Sequence, residues 1–370
     1  MHRYLDRTKL DPPVPEIAEV SIFGNGHGEA VLVHLGYNEW AIFDSCLNPK
    51  TKRPAPLEYL ESIKQDPAST VKLFLISHWH SDHIKGGAAT FQACISSVFC
   101  CSDLLTHPQM IQLADPDQKG FQRPLAVKEF ADLLKELKSR KPASPQYASP
   151  NRKILSLSYP RRAFSTEIFS LSPPDAEKTK FLAEIGSHLP GAGKTKKEPP
   201  LKLPNAWSVV TWIAIGKWNV LLGADLEQVG DSERGWNAVL MSGERPRGKA
   251  GIFKIPHHGS RNAHNSMVWR EMVQSPAIAL LSPFDPASLP SGDDVARLCS
   301  LTRQCHGAAM LEPVQPKRRT NAVERQLNEM AKERKVIGGK FGQVRVRFNP
   351  LDQDNHEVAL IDQAIPLCGN

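Results

Sequence analysis

Apolar residues in this chain are grouped in short runs that have the length and composition of β-strands. Three such runs lie near the N-terminus, at residues 19–24, 30–34 and 40–46. A segment with helical character at residues 55–66 leads to a fourth strand, at residues 69–76. This alternation of strands and helices predicts an α/β layered fold.

The same pattern returns in the second half of the chain. Residues 207–215 and 218–227 predict a hairpin, and residues 251–255 and 277–283 predict two further strands. A helix is expected over residues 293–304. The fold prediction therefore extends over most of the chain and shows no internal repeat.

Composition places the chain among ordinary globular proteins. Of its 370 residues, 41% are hydrophobic and 23% are charged, which is enough to bury a large core. No apolar run reaches the roughly 18–20 residues that a membrane span needs, and residues 1–6 lack the apolar centre of a signal peptide. We therefore expect a cytoplasmic protein without a membrane partner.

Cysteine usage and charge change this picture little. The seven cysteines are an odd number without a Cys-x-x-Cys pair, so we expect reduced thiols in the core rather than disulfides. The net charge of +7, from 46 basic and 39 acidic residues, slightly favours a polyanionic partner.

The strongest chemical signal directly follows the strand at residues 69–76. Within six residues the chain carries three histidines and an aspartate, followed by Ile84-Lys85-Gly86-Gly87. Imidazole and carboxylate groups are the usual ligands of zinc and similar divalent ions. We expect two of these side chains to face one cation and two to face a second cation beside it, as the pairs His78 with His80 and Asp82 with His83.

A second signal is the aspartate at the end of the predicted hairpin. Asp225 follows a buried apolar strand, where a carboxylate is costly unless it is paired or binds a metal. We therefore predict that Asp225 is a carboxylate ligand shared by the two cations.

These motifs resemble those of the metallo-β-lactamase fold family. The family signature is His-x-His-x-Asp-His after an apolar strand, and residues 223–225, Gly-Ala-Asp, are similar to its Gly-Asp motif with alanine inserted. Residues 254–260, Lys-Ile-Pro-His-His-Gly-Ser, resemble a subset related to the extracellular domain of the ComEC-type DNA-uptake protein. The resemblance covers most of residues 19–283 and implies an αββα sandwich.

The resemblance also implies roles for further residues. Asp44 would hold a ligand histidine through its far ring nitrogen. One residue of the pair His257 and His258 would complete the second cation site; we favour His257 as the ligand and His258 as a substrate contact, with the reverse still open. A histidine that many members carry near residues 172–175 is absent, so Asp175 or water would replace it and one cation position would be weak.

We interpret residues 1–370 as one domain with two additions. Residues 102–164 are unmatched and contain a helical pattern at residues 128–137, so we expect a helical insertion that caps one edge of the site. Residues 284–370 are expected to complete the second sheet. There Arg345 and Arg347 alternate with apolar residues and should share one solvated face, as a nucleic-acid surface or as a charged edge strand.

Several residues near the motifs could contact an anionic substrate. Ser260 is a typical helix N-cap residue, and the backbone N–H groups at a helix N-terminus favour phosphate. The predicted substrate contacts are Ser260, His264 and Lys85. Basic residues at 194, 196, 197 and 202 and at 317–319 could touch a phosphate backbone, although a solvated loop explains the first group equally well.

Together these features predict a hydrolase that uses two divalent cations, zinc or manganese, to activate water. Asp82, besides being a ligand, and His258 are the catalytic candidates. The leading hypothesis is a phosphodiesterase or nuclease acting on DNA or RNA. The alternatives are hydrolysis of a small ester, lactam, thioester or cyclic nucleotide, or a non-catalytic subunit that binds a protein partner or a second copy of itself.

Overall fold

Two large β-sheets packed face to face form the centre of the protein. The computed structural model describes residues 3–4, 11–106, 125–141, 145–188, 205–309 and 340–369. Within these ranges helices cover the outer face of each sheet. The αββα arrangement predicted from the sequence is therefore confirmed. No helix in the described ranges is long and apolar enough to cross a membrane.

The first sheet combines strands from both ends of the chain. The neighbours β4, β5 and β6 are parallel, so the loops that follow them meet at one edge of this sheet. In spatial order its strands are β1 (Arg3–Tyr4), β16 (Asp352–Asp362), β15 (Gly342–Asn349), β2 (Ala18–Gly24), β3 (Glu29–His34), β4 (Trp40–Phe43), β5 (Val71–Ile76), β6 (Val98–Ser102) and β7 (Gln146–Ala148).

The second sheet also has a parallel centre. Its strands β11, β12 and β13 run in the same direction, which brings the loops that follow them to a common edge. In spatial order its strands are β17 (Ile365–Pro366), β14 (Cys305–Gly307), β13 (Val273–Leu281), β12 (Ala250–Lys254), β11 (Trp218–Leu222), β10 (Thr211–Ile215), β9 (Thr166–Ser170) and β8 (Arg152–Leu157).

Side-chain alternation along the strands divides the core into three layers. In β3, Val31 and Val33 pack between the two sheets, whereas Leu32 faces the helices. In β11, Val220 likewise points between the sheets and Leu221 points outward. Because successive side chains of a strand point to opposite faces, each sheet needs a covering layer on its outer side.

Amphipathic helices supply these two covering layers. Tyr59 and Phe130 pack on the first sheet, and Trp236 and Leu298 pack on the second. The helices are α1 (Ala55–Ser62), α2 (Pro67–Thr70), α3 (Ser81–Ile84), α4 (Gly87–Ala93), α5 (Leu125–Ser139), α6 (Asp175–His188), α7 (Gly235–Met241), α8 (Ser266–Met272) and α9 (Gly292–Leu301).

The predicted insertion at residues 102–164 is only partly helical. Its helix, α5, covers residues 128–137 as expected, but the segment also supplies β7 to the first sheet and β8 to the second. The ring of Phe130 lies 6.4 Å from that of Trp79, which places α5 beside the loop of the metal motif.

The C-terminal extension corrects two of our expectations. Its strands β14 and β17 do join the second sheet, but the longer strands β15 and β16 join the first. Since β15 lies between β2 and β16, it is not an edge strand, and its arginines do not share a solvated face. Arg345 is buried, and Arg347 is half-buried with its Nε atom 2.8 Å from a carboxylate oxygen of Glu19.

The expectation that every thiol is reduced is wrong for one pair. Cys299 in α9 and Cys368 near the C-terminus form a disulfide with an S–S distance of 2.03 Å. These residues are 69 positions apart, so their proximity depends on the pairing of β17 with β14 and could not be predicted from the sequence. The other cysteines are free and buried, at positions 46, 94, 100, 101 and 305.

The predicted basic contacts at residues 194, 196, 197, 202 and 317–319 lie outside the described residues.

Candidate metal centre

The metal motif forms a tight turn between β5 and α3. Side chains at His78, Asp82 and His83 are buried, whereas His80 is half-buried at the opening. The turn lies against Gly28: a Cβ atom there would be 2.9 Å from the carbonyl oxygen of Asp82. The backbone of the motif can therefore approach β3 only where a glycine faces it.

Asp225 reaches the same point from the second sheet. It follows β11 and is 2% exposed. The preceding residue, Ala224, has a φ of 44°, a left-handed conformation that is uncommon for alanine and that ends the strand abruptly. This turn delivers the carboxylate of Asp225 to the centre.

The two consecutive histidines after β12 point in different directions. Both have positive φ values, 47° at His257 and 53° at His258, so the backbone turns sharply between them. The Nδ1 of His258 donates to the carbonyl oxygen of Ser282 at 2.9 Å, which leaves its Nε2 facing the centre, 3.1 Å from the nearer Asp82 oxygen. His258 is therefore one of the candidate ligands.

His257, the ligand favoured from the sequence, lies outside the groups of candidate ligand atoms. Its Nδ1 is 3.0 Å from the side-chain oxygen of Asn262, and its Nε2 is 3.1 Å from the amide nitrogen of Asn205. The left-handed turn directs its ring into this polar group instead of toward Asp225.

Two groups of candidate ligand atoms meet at Asp225, and a third, formed by Glu29, Asp44 and His83, lies behind them. The larger group is fully buried, and in it the Nε2 of His83 is 3.2 Å from Asp225 and 3.6 Å from Asp82. In the smaller group, the Nε2 of His78 is 3.1 Å from the Nδ1 of His80 and 3.9 Å from Asp225. The larger group contains Asp82, His83, Asp225 and His258, and the smaller contains His78, His80 and Asp225. Asp225 belongs to both, in the position predicted for a shared ligand.

Asp44 lies behind the larger group. Its carboxylate accepts hydrogen bonds from the backbone N–H and the hydroxyl of Ser77, both at 2.7 Å, and from the Nδ1 of His83 at 2.8 Å. The proton of His83 is thereby held on Nδ1, and the Nε2 lone pair is directed at Asp225 and Asp82. This is the contact expected of Asp44 from the resemblance.

Two charged residues at the centre were missed in the sequence analysis. Glu29, the first residue of β3, and Lys254, the last residue of β12, form a buried ion pair. Lys254 belongs to the Lys-Ile-Pro-His-His motif, and Glu29 follows the glycine-rich turn, so both positions carried a signal. Neither residue type stands out, because charged residues at strand ends are usually solvated.

The described residues of the centre carry more negative than positive charge. Among the described residues, the carboxylates of Glu29, Asp44, Asp82 and Asp225 face one ammonium, that of Lys254, so with neutral histidines the formal charge of these groups is −3. A buried excess of this size requires cations or protonated imidazoles.

The titration behaviour of the ligands reflects this excess. Burial alone would lower the pKa of His83, but the carboxylates of Asp225 and Asp82 raise it well above its ordinary value. Burial would raise the pKa of Asp225, yet the neighbouring charges of His83 and His258 hold it well below its usual range.

Unsatisfied atoms in the centre provide a direct test of fit for a metal. The Nε2 of His83 and the Oδ1 of Asp225 are both buried and have no hydrogen-bond partner. Buried polar atoms are nearly always paired, so two of them aimed at one point match the donors that a cation needs. The nitrogen and oxygen donors match the preferences of zinc and manganese. The residues therefore fit a divalent metal.

Asp175, one of the two predicted replacements for the absent family histidine, lies outside the groups of candidate ligand atoms. Its side chain is 89% exposed and lies 3.0 Å from Lys178, at the start of α6. Asp175 is therefore not a ligand, and the smaller group of ligands remains the one with fewer donors.

The predicted substrate contacts are dispersed. Ser260 stands at the N-cap position of a short 3₁₀-helix, Arg261–Ala263, but its side chain makes no capping hydrogen bond, and the next α-helix, α8, is capped by Asn265. Ser260 and His264 instead line a cavity with Trp236 and Arg297, and Lys85 is exposed on the surface. The helix that follows Ser260 is thus a single 3₁₀ turn, and the predicted phosphate contact at its N-terminus stays a prediction.

An apolar wall borders the opening at His80. Trp79, Leu104, Leu105 and Trp207 line a cavity next to His78 and His80. On the inner side, the ring of Phe284 stacks on His258 with centroids 4.9 Å apart. Aromatic side chains thus border His78, His80 and His258, and low-dielectric surroundings of this kind strengthen electrostatic interactions.

Comparison with known proteins adds the following. No protein family and no curated protein matches the chain. Solved structures that resemble it include the metallo-β-lactamase fold protein YhfI from Bacillus subtilis, with 12% identity over 64% of this chain and 70% of that chain and a TM-score of 0.31. Another is Zn²⁺-bound PqqB from Methylobacterium extorquens, with 11% identity over 74% and 83% and a TM-score of 0.37. A third is MEM-A1, a subclass B3 metallo-β-lactamase from a soil metagenome library, with 12% identity over 69% and 83% and a TM-score of 0.33. The narrower resemblance to the ComEC-like subset stays a prediction.

Proposed function

We propose that this protein is a hydrolase that depends on two divalent metal ions and cleaves phosphodiester bonds, with DNA or RNA as the substrate class. The observation that carries the proposal is the pair of ligand groups joined at Asp225, with buried donor atoms that have no partner. Bound at these positions, divalent ions would lower the pKa of a water molecule and stabilise negative charge on the substrate.

The protein's own residues would perform three tasks in this reaction. Asp82 faces His83 and His258 and would orient the attacking water or accept its proton. Asp44 and the carbonyl oxygen of Ser282 keep the ring protons of the two histidines on Nδ1, away from the centre. These contacts fix each ring in the form that binds a cation, so the centre is organised before the substrate arrives.

Phosphodiester bonds suit the electrostatics of such a centre, and the net charge of +7 on the whole chain favours an anionic substrate. If the substrate is a nucleic acid, its binding should depend strongly on salt concentration. Each phosphate contact releases counterions, so binding should weaken steeply between low and moderate salt.

A small-molecule substrate is the second candidate, because the opening beside His80 is lined by apolar side chains. Such a lining fits the apolar part of a small ester, lactam, thioester or cyclic nucleotide. A flat salt response combined with turnover of one of these compounds would favour this candidate over a nuclease.

The test is a turnover assay with matched variants. Purified protein would be supplied separately with zinc, manganese or magnesium and offered DNA, RNA, cyclic nucleotides and a chromogenic phosphodiester. Asp82→Ala and His80→Ala should each abolish metal-dependent cleavage, whereas His356→Ala, a control at an exposed histidine, should leave it unchanged. Full cleavage by both variants would exclude this mechanism. Stable metal binding without turnover of any substrate would favour the non-catalytic subunit.

A further inference from the structure

The ion pair between Glu29 and Lys254 lies directly behind the metal ligands. It joins the two sheets, because Glu29 begins β3 and Lys254 ends β12, and each side chain is 2% exposed. Removing two charges from water costs several kcal/mol for each ion, and an apolar pair of similar volume is often at least as stable. The pair is therefore a poor source of stability, and its position beside the ligands calls for another explanation.

Lys254 contacts the turn that presents Asp225. Its Nζ donates to the carbonyl oxygen of Ala224 at 2.8 Å and lies 3.8 Å from the Oδ1 of Asp225. Ala224 is the residue held in the left-handed conformation. The ammonium thus fixes the strained backbone unit that directs Asp225 into both ligand groups.

Glu29 faces the far side of two ligand histidines. Its carboxylate oxygens are 3.7 Å from the Nδ1 of His83 and 3.6 Å from the Nδ1 of His258. Both Nδ1 atoms carry the proton, so a negative charge at this distance favours the ring orientation in which Nε2 faces the centre. Through its two members, the pair acts on three of the four ligands in the larger group: Asp225, His83 and His258.

We propose that the Glu29–Lys254 pair is a positioning pair, which orients Asp225, His83 and His258 for cation binding. The proposal rests on the proposed metal centre. Orientation and simple charge make opposite predictions for Lys254. Without its ammonium the centre becomes more negative and should attract cations more strongly, whereas loss of orientation should weaken their binding.

The experiment measures the affinity and the visible absorption spectrum of bound Co²⁺ in the metal-stripped protein. Lys254→Met and Glu29→Gln should each weaken Co²⁺ binding by about 10–100-fold, the usual effect of losing a partner behind a metal ligand. Each should also change the spectrum, which reports ligand geometry. A surface pair on the second sheet, Lys153 and Glu167, provides the control variants Lys153→Met and Glu167→Gln, which should match the unmodified protein.

A double variant keeps the proposal testable even if the single variants do not fold. Glu29→Leu combined with Lys254→Met leaves no unpaired charge and is compatible with a folded core. We expect it to bind Co²⁺ no more weakly than the worse single variant, since the pair acts as one unit, and still about 10-fold more weakly than the unmodified protein.

Two results would overturn the proposal. One is unchanged affinity and spectrum in the double variant. The other is tighter Co²⁺ binding by Lys254→Met together with weaker binding by Glu29→Gln. That pattern would mean that the pair affects the cation through its charges alone and does not orient the ligands. If the unmodified protein bound no Co²⁺, the proposed function would fail as well, so the two failures are distinguishable.

Discussion

Replacing Asp44 with asparagine tests whether His83 is made a ligand by the carboxylate behind it. The carboxylate accepts three hydrogen bonds, two from Ser77 and one from the Nδ1 of His83. Asparagine keeps one accepting oxygen, which the backbone N–H of Ser77 can use. Its amide group must then face His83, and an amide N–H cannot accept the Nδ1 proton.

The Asp44→Asn substitution has one of two consequences for His83, and both weaken cation binding. The ring either loses its partner or moves its proton to Nε2, where the proton points at Asp225 and occupies the cation's position. A hydrogen bond to a charged group contributes about 1.5–3 kcal/mol. At about 1.4 kcal/mol per factor of ten, this corresponds to a loss of about 10–100-fold in affinity at the larger ligand group.

The assay is competition between the metal-stripped protein and a chromogenic chelator for Zn²⁺, with thermal unfolding of the stripped protein as a check on folding. Glu167→Gln is the control, because it makes the same carboxylate-to-amide change in a surface ion pair away from the centre. We expect it to change affinity by less than about threefold. A folded Asp44→Asn variant with the affinity of the unmodified protein would refute the reasoning.

Substitutions at the metal centre and at His34, a buried histidine of β3, provide three further tests. His258→Ala should lose metal while His257→Ala retains it, as measured by elemental analysis; the opposite pattern would restore the assignment made from the sequence. Gly28→Ala should lower metal affinity by about tenfold or more, since its Cβ would meet the Asp82 carbonyl at 2.9 Å, and normal affinity would contradict the close packing. Burial lowers the pKa of His34 to about 4, so the unfolded chain binds more protons below pH 6.5 and stability is lost as the pH falls toward 4. Between pH 7 and pH 5 this loss is about 2 kcal/mol, and urea unfolding should find it absent in His34→Gln.

The layered fold could be predicted because its signals are local. Alternating and continuous apolar runs mark strands such as β5 and β11 whatever surrounds them, and strands of a parallel sheet end at one edge. The proximity of the aspartate and histidines that follow those strands could therefore be predicted from the sequence. The placement of β15 could not, because Arg347 is paired with Glu19, a partner that only the tertiary structure supplies.

The parts of the centre that could not be predicted depend on backbone turns and buried charge pairs. His257 and His258 are adjacent, and only the left-handed turn decides which ring faces Asp225. Glu29 and Lys254 are 225 positions apart in the chain, and each alone looks like a solvated strand end. Sequence patterns show which residues can bind a metal, whereas the groups that hold those residues in place become visible only when the two sheets meet.

The central claim is that loops from both sheets hold two divalent cations that share one carboxylate. Its most direct test is anomalous diffraction at the zinc absorption edge from crystals grown with Zn²⁺. We predict two peaks, one among Asp82, His83, Asp225 and His258 and one beside His78 and His80, with Asp225 in contact with both. The absence of any peak between the two sheets at Asp225 would contradict the account.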